Sequence, residues 1–189
     1  MTPRTGGTIH GLETSESLSS RKDLDQLFSV TYEELRRLAA RVRRGDPSAT
    51  LSPTALVNEA WLKLAASRHL APASRLHFKR IAARAMRQIL VEAARRRHAG
   101  KRGDRSPVVT FDESLQPAST TVRELLALDE ALEELGRAHP RHAVMVESRF
   151  FGGLDVAETA QLLEVSEATI LRDWRVARAW LARELGQAR

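Results

Sequence analysis

The sequence predicts an all-α protein built from two small helical domains joined by a flexible linker, the C-terminal domain being a four-helix helix-turn-helix unit. Apolar residues recur at spacings of three and four through most of the 189-residue chain, which is the period of an amphipathic helix. Proline and small polar residues interrupt this pattern at 103–121. A short strand candidate at 108–111 has no second strand with which to pair. The length suits two small domains.

Changes in composition along the chain predict the domain boundaries. Residues 1–21 are rich in glycine, serine and threonine and predict a disordered tail. The N-terminal helical domain is predicted at 22–102 and the linker at 103–121. The C-terminal helix-turn-helix domain is predicted at 122–189.

Caps and helix breakers mark the helices of the N-terminal domain. Helical periodicity begins near residue 23 and stops at the glycine and proline of 45–47. A serine–proline pair at 52–53 is a strong signal for the start of the next helix. On that helix Trp61 and Leu62 lie outside the main apolar stripe. Periodicity leaves open whether they widen the core or form a docking surface.

Basic residues are concentrated between Arg75 and Arg105. This segment has eleven lysines and arginines and two acids, whereas the whole chain has 30 basic and 24 acidic residues and a net charge of +6. Basic runs are often only solvated helix faces. This density, opposed by so little acid, favours contact with a phosphate backbone.

Residues 155–185 predict two helices joined by a tight turn. Asp155 and Glu158 have the spacing of a reciprocal capping box, and Ser166 is the cap candidate of the second helix. An ordinary helical hairpin with a solvated basic face is one interpretation. A helix with an apolar back and outward arginines, entered through a short turn, also fits the major groove of DNA. Its apolar stripe consists of Ile170, Trp174, Ala177, Leu181 and Leu185.

Signals for enzymatic or membrane function are weak. The chain has no cysteine, and its six histidines form no zinc-protease motif, so we expect neither metal nor cofactor. No glycine-rich phosphate loop or nucleophile elbow is present, and catalytic residues are not expected. Without a signal peptide or a long apolar run, the protein is expected to be cytoplasmic, with no membrane partner.

From about residue 23 to 185 the chain resembles the extracytoplasmic-function (ECF) sigma factors of bacterial RNA polymerase, closest to the ECF-like branch. The helix that docks on the clamp coiled coil of the largest polymerase subunit is matched by LSPTALVNEAWLKL. The helix that engages and melts the −10 promoter element is matched by HFKRIAARAMRQILVEAARRRHAGKRG. The helix-turn-helix that reads the −35 element is matched by RHAVMVESRFFGGLDVAETAQLLEVSEATILRDWRVARAWLAREL.

The resemblance implies a sigma factor that directs core RNA polymerase to promoter DNA, with an anti-sigma protein as a further candidate partner. Arg172 and Arg175 are the candidates for base edges, because arginine can donate to guanine O6 and N7 together, whereas Trp174 is expected to pack. The polymerase-contact candidates are Leu56, Asn58, Glu59 and Leu62. The −10 candidates are Arg84, Arg87, Arg95, Arg96, Arg97, Lys101 and Arg102. The −35 candidates are Thr169, Arg172, Arg175 and Arg178.

The sequence departs from the family pattern at three positions. His77 and Arg84 stand where many ECF sigma factors have a tryptophan and an asparagine in the −10 helix. The turn between the paired helices usually contains glycine, and here it contains Glu164. A left-handed backbone at Glu164 is expected to cost about 1 kcal/mol relative to glycine.

Two other functions are compatible with the sequence. One is a stand-alone helix-turn-helix regulator whose N-terminal domain senses or dimerises, and the other is a polymerase-binding protein without promoter recognition. A further hypothesis concerns the free protein. The linker would let the acidic helix at 122–137 fold with the basic helix before it, hiding both DNA-facing surfaces.

Overall fold

The computed structural model describes residues 10–43, 51–67, 72–100 and 122–187. Across these ranges the protein is all-α with no strand, which confirms the all-α part of the predicted fold class. The predicted linker at 103–121 lies outside the described residues, as do Lys101 and Arg102. The helices are α1 His10–Arg43, α2 Pro53–Ala65, α3 Arg75–Gly100, α4 Val122–Ala138, α5 Pro140–Phe150, α6 Val156–Leu163 and α7 Glu167–Gln187.

Helix α1 begins earlier than the sequence predicts. It starts at His10, so residues 10–21, assigned to the disordered tail, are helical. The expectation rested on glycine, serine and threonine content. Extending an existing helix costs far less than nucleating one, so the downstream segment can propagate through weak helix formers.

The first module consists of α1, α2 and α3, packed around one apolar cluster. Phe78 is fully buried at its centre, and Met86 of the same helix is 2% exposed. Burial of a side chain of this size stabilises the fold by roughly 1.5–3 kcal/mol. Ser52 caps α2 as predicted, because its Oγ accepts a hydrogen bond from the backbone N–H of Ala55 at 3.0 Å. The other fully or nearly buried members include Leu24, Leu35, Leu38, Leu56, Val57, Ala60, Leu64 and Ile89.

The second module consists of α4 to α7 and has its own core. Leu135 of α4, Val146 of α5 and Ile170 of α7 are completely buried there. The four-helix C-terminal unit that the periodicity predicts is therefore present in the part of the chain that the structure describes.

Helix α3 packs into both modules. Ala83, Val91 and Ala94 on one side of α3 belong to the core of the second module, whereas Phe78 and Met86 belong to the first. The two modules are therefore in direct contact through α3. The hypothesis that the modules fold together is consistent with this packing.

Gly152, after the end of α5, permits the close approach of α5 to α3. A Cβ at this position would lie 3.2 Å from the Cβ of Ala83 and would overlap the carbonyl oxygen of Ser148. The next residue, Gly153, has a φ of +64°, which favours glycine. Gly152 and Gly153, which were predicted to end the helix, thus also allow it to pack on the first module.

Candidate nucleic-acid and polymerase interfaces

Helix α6 and the turn after it set the direction of α7. Asp155 Oδ1 accepts from the N–H of Glu158 at 2.7 Å, and Glu158 Oε2 accepts from the N–H of Asp155 at 3.1 Å, which is the predicted capping box. Glu164 ends α6 at φ 55° and ψ 42°, so the expected left-handed turn is present without glycine. Ser166 Oγ then accepts from the N–H of Thr169 at 3.2 Å and caps α7.

Helix α7 has sharply different faces. Ile170, Ala177 and Leu181 are at most 1% exposed and pack on the second module. Arg172 and Arg175 lie on the opposite, exposed face, and the side chain of Arg172 is 71% exposed. The outer face of α7 thus presents the two arginines predicted to reach base edges. It also remains accessible, so the prediction that the packed modules hide this surface is wrong.

The other −35 candidates, Thr169 and Arg178, are only partly exposed. The hydroxyl of Thr169 is 2.9 Å from the hydroxyl of the capping Ser166. Arg178 is half-buried and has an interaction partner within the protein. Trp174 is 9% exposed, with the guanidinium carbon of Arg149 4.6 Å from its ring centre, which confirms that it packs.

Asp173 anchors α7 to α5. Its side chain is 8% exposed and accepts a hydrogen bond from Arg141 at 2.6 Å. His142 Nε2 lies 3.6 Å from the same carboxylate. Burial lowers the pKa of His142 below 6.5, although Asp173 acts in the opposite direction. His142 is therefore mainly neutral at neutral pH, and Arg141 supplies the counter-charge.

The basic helix α3 uses its arginines in two ways. Arg84 and Arg96 are exposed and remain candidates for contact with DNA phosphates. Arg87 is different, because its guanidinium pairs with Asp129 at 2.8 Å and with Glu147 at 3.0 Å. Its side chain is only 15% exposed, so Arg87 in this arrangement joins the modules and does not face DNA.

Two more arginines of α3 are engaged in part. Arg95 donates to Asp129 Oδ2 at 3.1 Å, although its side chain is 60% exposed. Arg97 is half-buried, donates to the carbonyl oxygen of Ala93 at 3.4 Å, and has an additional interaction. Among the −10 candidates that the structure describes, Arg84, Arg95 and Arg96 are exposed, and of these Arg95 pairs with Asp129.

Sequence reasoning counted Lys79 as part of the basic run, but the structure places it in the interior. Its side chain is 5% exposed, and its Nζ lies 3.3 Å from Glu34 of α1 and 2.9 Å from Glu158 of α6. Lys79 therefore connects both modules at the start of the helix-turn-helix. Its partners lie far away in the sequence, so no local spacing signals this role.

His77 forms part of the cap of α3. Ser74 Oγ accepts from the N–H of His77 at 3.1 Å, and His77 Nδ1 accepts from the N–H of Ala73 at 3.1 Å. Nδ1 must be unprotonated to accept this bond. Burial lowers the pKa of His77 below 6.5, and the nearby charge of Arg80 lowers it further. His77, one of the departures from the family pattern, thus has a structural role here.

The predicted polymerase contacts lie on two sides of helix α2, one exposed and one buried. Leu62 is 66% exposed, and Asn58 and Glu59 are exposed beside it. Leu56 is 2% exposed in the core, so its assignment to the polymerase surface was wrong; it lies on the apolar stripe that folds the module. Trp61 stacks on Phe28 with ring centres 4.5 Å apart, and this pair widens the core.

The described residues contain no group of three or more histidine or acidic side chains placed to hold a metal ion. In the same ranges, every helix is too short or too polar to cross a membrane.

A capped helix-turn-helix with outward arginines, packed on a basic helix, defines a helical DNA-binding protein. The family model of ECF sigma factors matches residues 17–187. The chain belongs to the ECF sigma factor family, whose members are non-enzymatic initiation factors that act with core RNA polymerase on promoter DNA. No significant match was found among curated proteins or among solved structures.

Proposed function

We propose that this sigma factor reads the −35 element with the outer face of α7. The observation that carries the proposal is the exposure of Arg172 and Arg175 directly opposite a buried apolar stripe. A helix supported in this way can enter the major groove with both guanidinium groups directed at bases. Thr169, in the first turn of α7, and the half-buried Arg178 are assigned to the DNA backbone.

The −10 region is assigned to the exposed part of α3. Arg84 and Arg96 would contact phosphates, with Arg95 and Arg97 joining them after rearrangement. Lys101 and Arg102 extend the same basic segment. Arg87 is excluded from this set because removing it from Asp129 and Glu147 would leave two largely buried carboxylates without their shared cation.

Docking on core polymerase is assigned to the exposed side of α2. Leu62 offers an apolar side chain with Asn58 and Glu59 as polar neighbours. An apolar side chain bordered by polar groups matches the apolar centre and polar rim of protein interfaces. Trp61 would support this side from below through its stack on Phe28.

Transcription in vitro with the purified chain and core polymerase tests the proposal. Initiation that depends on promoter sequence and on both components supports the sigma function. Sequence-specific DNA binding without core would instead support a stand-alone regulator. Core binding without initiation would indicate a polymerase-binding protein that does not recognise promoters.

A further inference from the structure

The outer face of α7 carries exposed apolar side chains in addition to its arginines. Among the described residues, four large hydrophobic side chains are exposed, and two of them are on this helix. Leu171 is 46% exposed and Val176 is 51% exposed. Isolated apolar residues on a surface need no explanation, but these two occupy the same face as Arg172 and Arg175.

Helix geometry gives their order around α7. With about 100° between successive residues, Arg172 and Arg175 lie side by side at the middle of the exposed face. Leu171 falls roughly 40° beyond Arg175, and Val176 falls roughly 40° beyond Arg172 on the other side. The two apolar side chains therefore flank the arginines. Ala168 and Ala179 are also exposed on this face, and their short side chains leave it open to close approach.

This arrangement is complementary to the major groove. Guanine offers O6 and N7 acceptors, which suit the central arginines, and thymine offers a 5-methyl group. On an A·T pair the methyl group lies at the edge of the groove, next to the thymine's own strand. Apolar side chains at the two borders of the helix are in the position to meet methyl groups on either strand.

The charge of the face favours DNA over a protein as its occupant. Between Ala168 and Arg183 the sequence contains one acid, Asp173, and its side chain is 8% exposed behind the helix. The accessible charges of this segment are therefore arginines, which a phosphate-lined groove attracts.

We propose that Leu171 and Val176 are specificity-determining residues, each reading a thymine 5-methyl group at opposite borders of the arginine contacts in the −35 element. The inference rests on the proposed −35 function of α7. It predicts an element in which guanines are flanked by A·T pairs with the methyl groups in defined positions.

The test uses thymine and uracil, which differ only in the methyl group. A promoter library randomised across the −35 element is transcribed by holoenzyme reconstituted from the full chain and purified core polymerase, and the preferred sequence is read out. Synthetic duplexes of that sequence, with deoxyuridine replacing thymidine one position at a time, then compete for holoenzyme. We expect replacement at one position on each side of the guanines to weaken binding about fourfold.

Variants assign each methyl group to a residue. Leu171→Ala should remove the thymine preference at one position and Val176→Ala at the other, while Val30→Ala, on the exposed surface of α1, should leave both preferences intact. Equal binding of thymine and uracil by the unmodified protein, or unchanged ratios in the variants, would overturn the proposal. Weaker core binding with an unchanged ratio would also overturn it, because the face would then contact polymerase.

The experiment gives a different result if the proposed −35 function of α7 is itself wrong. If Arg172→Ala and Arg175→Ala leave the selected sequence unchanged, α7 does not read this element at all. If those two variants do change it while uracil is tolerated everywhere, the sigma function stands and only the methyl contacts are refuted.

Discussion

Arg87 of α3 donates a hydrogen bond from Nε to Oδ1 of Asp129 in α4 at 2.9 Å, and this pair joins the two modules. The same guanidinium also donates to the carbonyl oxygen of Asp129 at 3.0 Å and to Glu147 at 3.0 Å. All three contacts cross between modules. The basic helix expected to face DNA thus uses its central arginine to hold the acidic helix α4.

Arg87→Ala should destabilise the packing of the modules. Removal of the cation takes the Arg87 contact away from Glu147, whose side chain is 12% exposed, and leaves Asp129, 8% exposed, with the weaker contact from the exposed Arg95. Breaking a buried pair in this way typically costs about 3–5 kcal/mol. Urea unfolding should show this loss, and small-angle scattering should show an increased radius of gyration if the modules separate.

Arg95→Ala is the matched control for Arg87→Ala. Arg95 pairs with the same carboxylate, but its side chain is 60% exposed, so its loss should cost about 1 kcal/mol or less. Equal effects of the two substitutions would show that the Arg87 contacts do not hold the modules together.

Glu164→Gly should stabilise the protein. Glu164 is exposed and has a φ of 55°, a conformation that glycine adopts without steric cost. Part of the gain is offset by the greater freedom of glycine in the unfolded chain, so we expect about 0.5–1 kcal/mol. In a chain of this size the melting temperature should rise by about 1–4 °C.

Glu167→Gly provides the comparison for Glu164→Gly. Glu167 is also exposed but lies in the first turn of α7, where glycine should destabilise the helix by about 0.5–1 kcal/mol. A lower melting temperature for Glu164→Gly would indicate that the glutamate side chain stabilises the turn by another route.

Features determined by neighbouring residues could be predicted from the sequence. The caps at Ser52 and Asp155 follow from residue types at fixed local spacing, and the buried position of Trp174 follows from helical periodicity. The left-handed turn at Glu164 was expected from the family resemblance instead.

Features determined by distant residues could not be predicted in this way. Lys79 and Glu158 are 79 residues apart in sequence, and Arg87 and Glu147 are 60 apart, yet both pairs are in contact. The charge count assigned Lys79 and Arg87 to the DNA-facing surface. A basic residue looks the same in a sequence whether it pairs with a phosphate or with a carboxylate. Leu56 was assigned to the polymerase surface through the family resemblance, whereas helical periodicity places it on the buried side of α2, where the structure has it.

Stability should depend on His77 in mildly acidic solution. The pKa of His77 in the folded protein is lowered below its ordinary value of 6.5, so the folded state binds the proton less readily than the unfolded chain. The contribution of the neutral imidazole, which accepts from Ala73, is complete above about pH 6.5 and declines as the pH falls. Unfolding measured from about pH 7.5 to about pH 5.5 should show this decline.

His77→Gln should reduce this pH dependence, because glutamine keeps an acceptor and does not titrate. The pKa of His142 is also lowered, so His142→Gln is the control that removes the second titrating group. A decline of the same size in the presence and absence of His77 would assign the effect to other groups.

Leu62→Asp should weaken binding to core polymerase. Leu62 is 66% exposed, so the substitution should hardly change folding, whereas a charge at an apolar contact typically costs 2 kcal/mol or more, about thirtyfold in affinity. Fluorescence titration of core with labelled protein measures the change. Lys63→Ala, at the next position and also exposed, is the control and should bind nearly normally. Similar affinities for both variants would place the docking surface elsewhere.

Arg172→Ala and Arg175→Ala should relax discrimination at individual −35 positions. Each bidentate contact to guanine accounts for about 1–3 kcal/mol of selectivity, so each substitution should reduce the preference for one base pair by about 5- to 160-fold. Competition between promoter duplexes for holoenzyme gives these ratios. Arg183→Ala is the control, because Arg183 is exposed on the same helix but pairs with Glu184 at 2.8 Å. A uniform loss of affinity on every sequence would show that Arg172 and Arg175 contact phosphates, since phosphate contacts weaken binding without changing base preference.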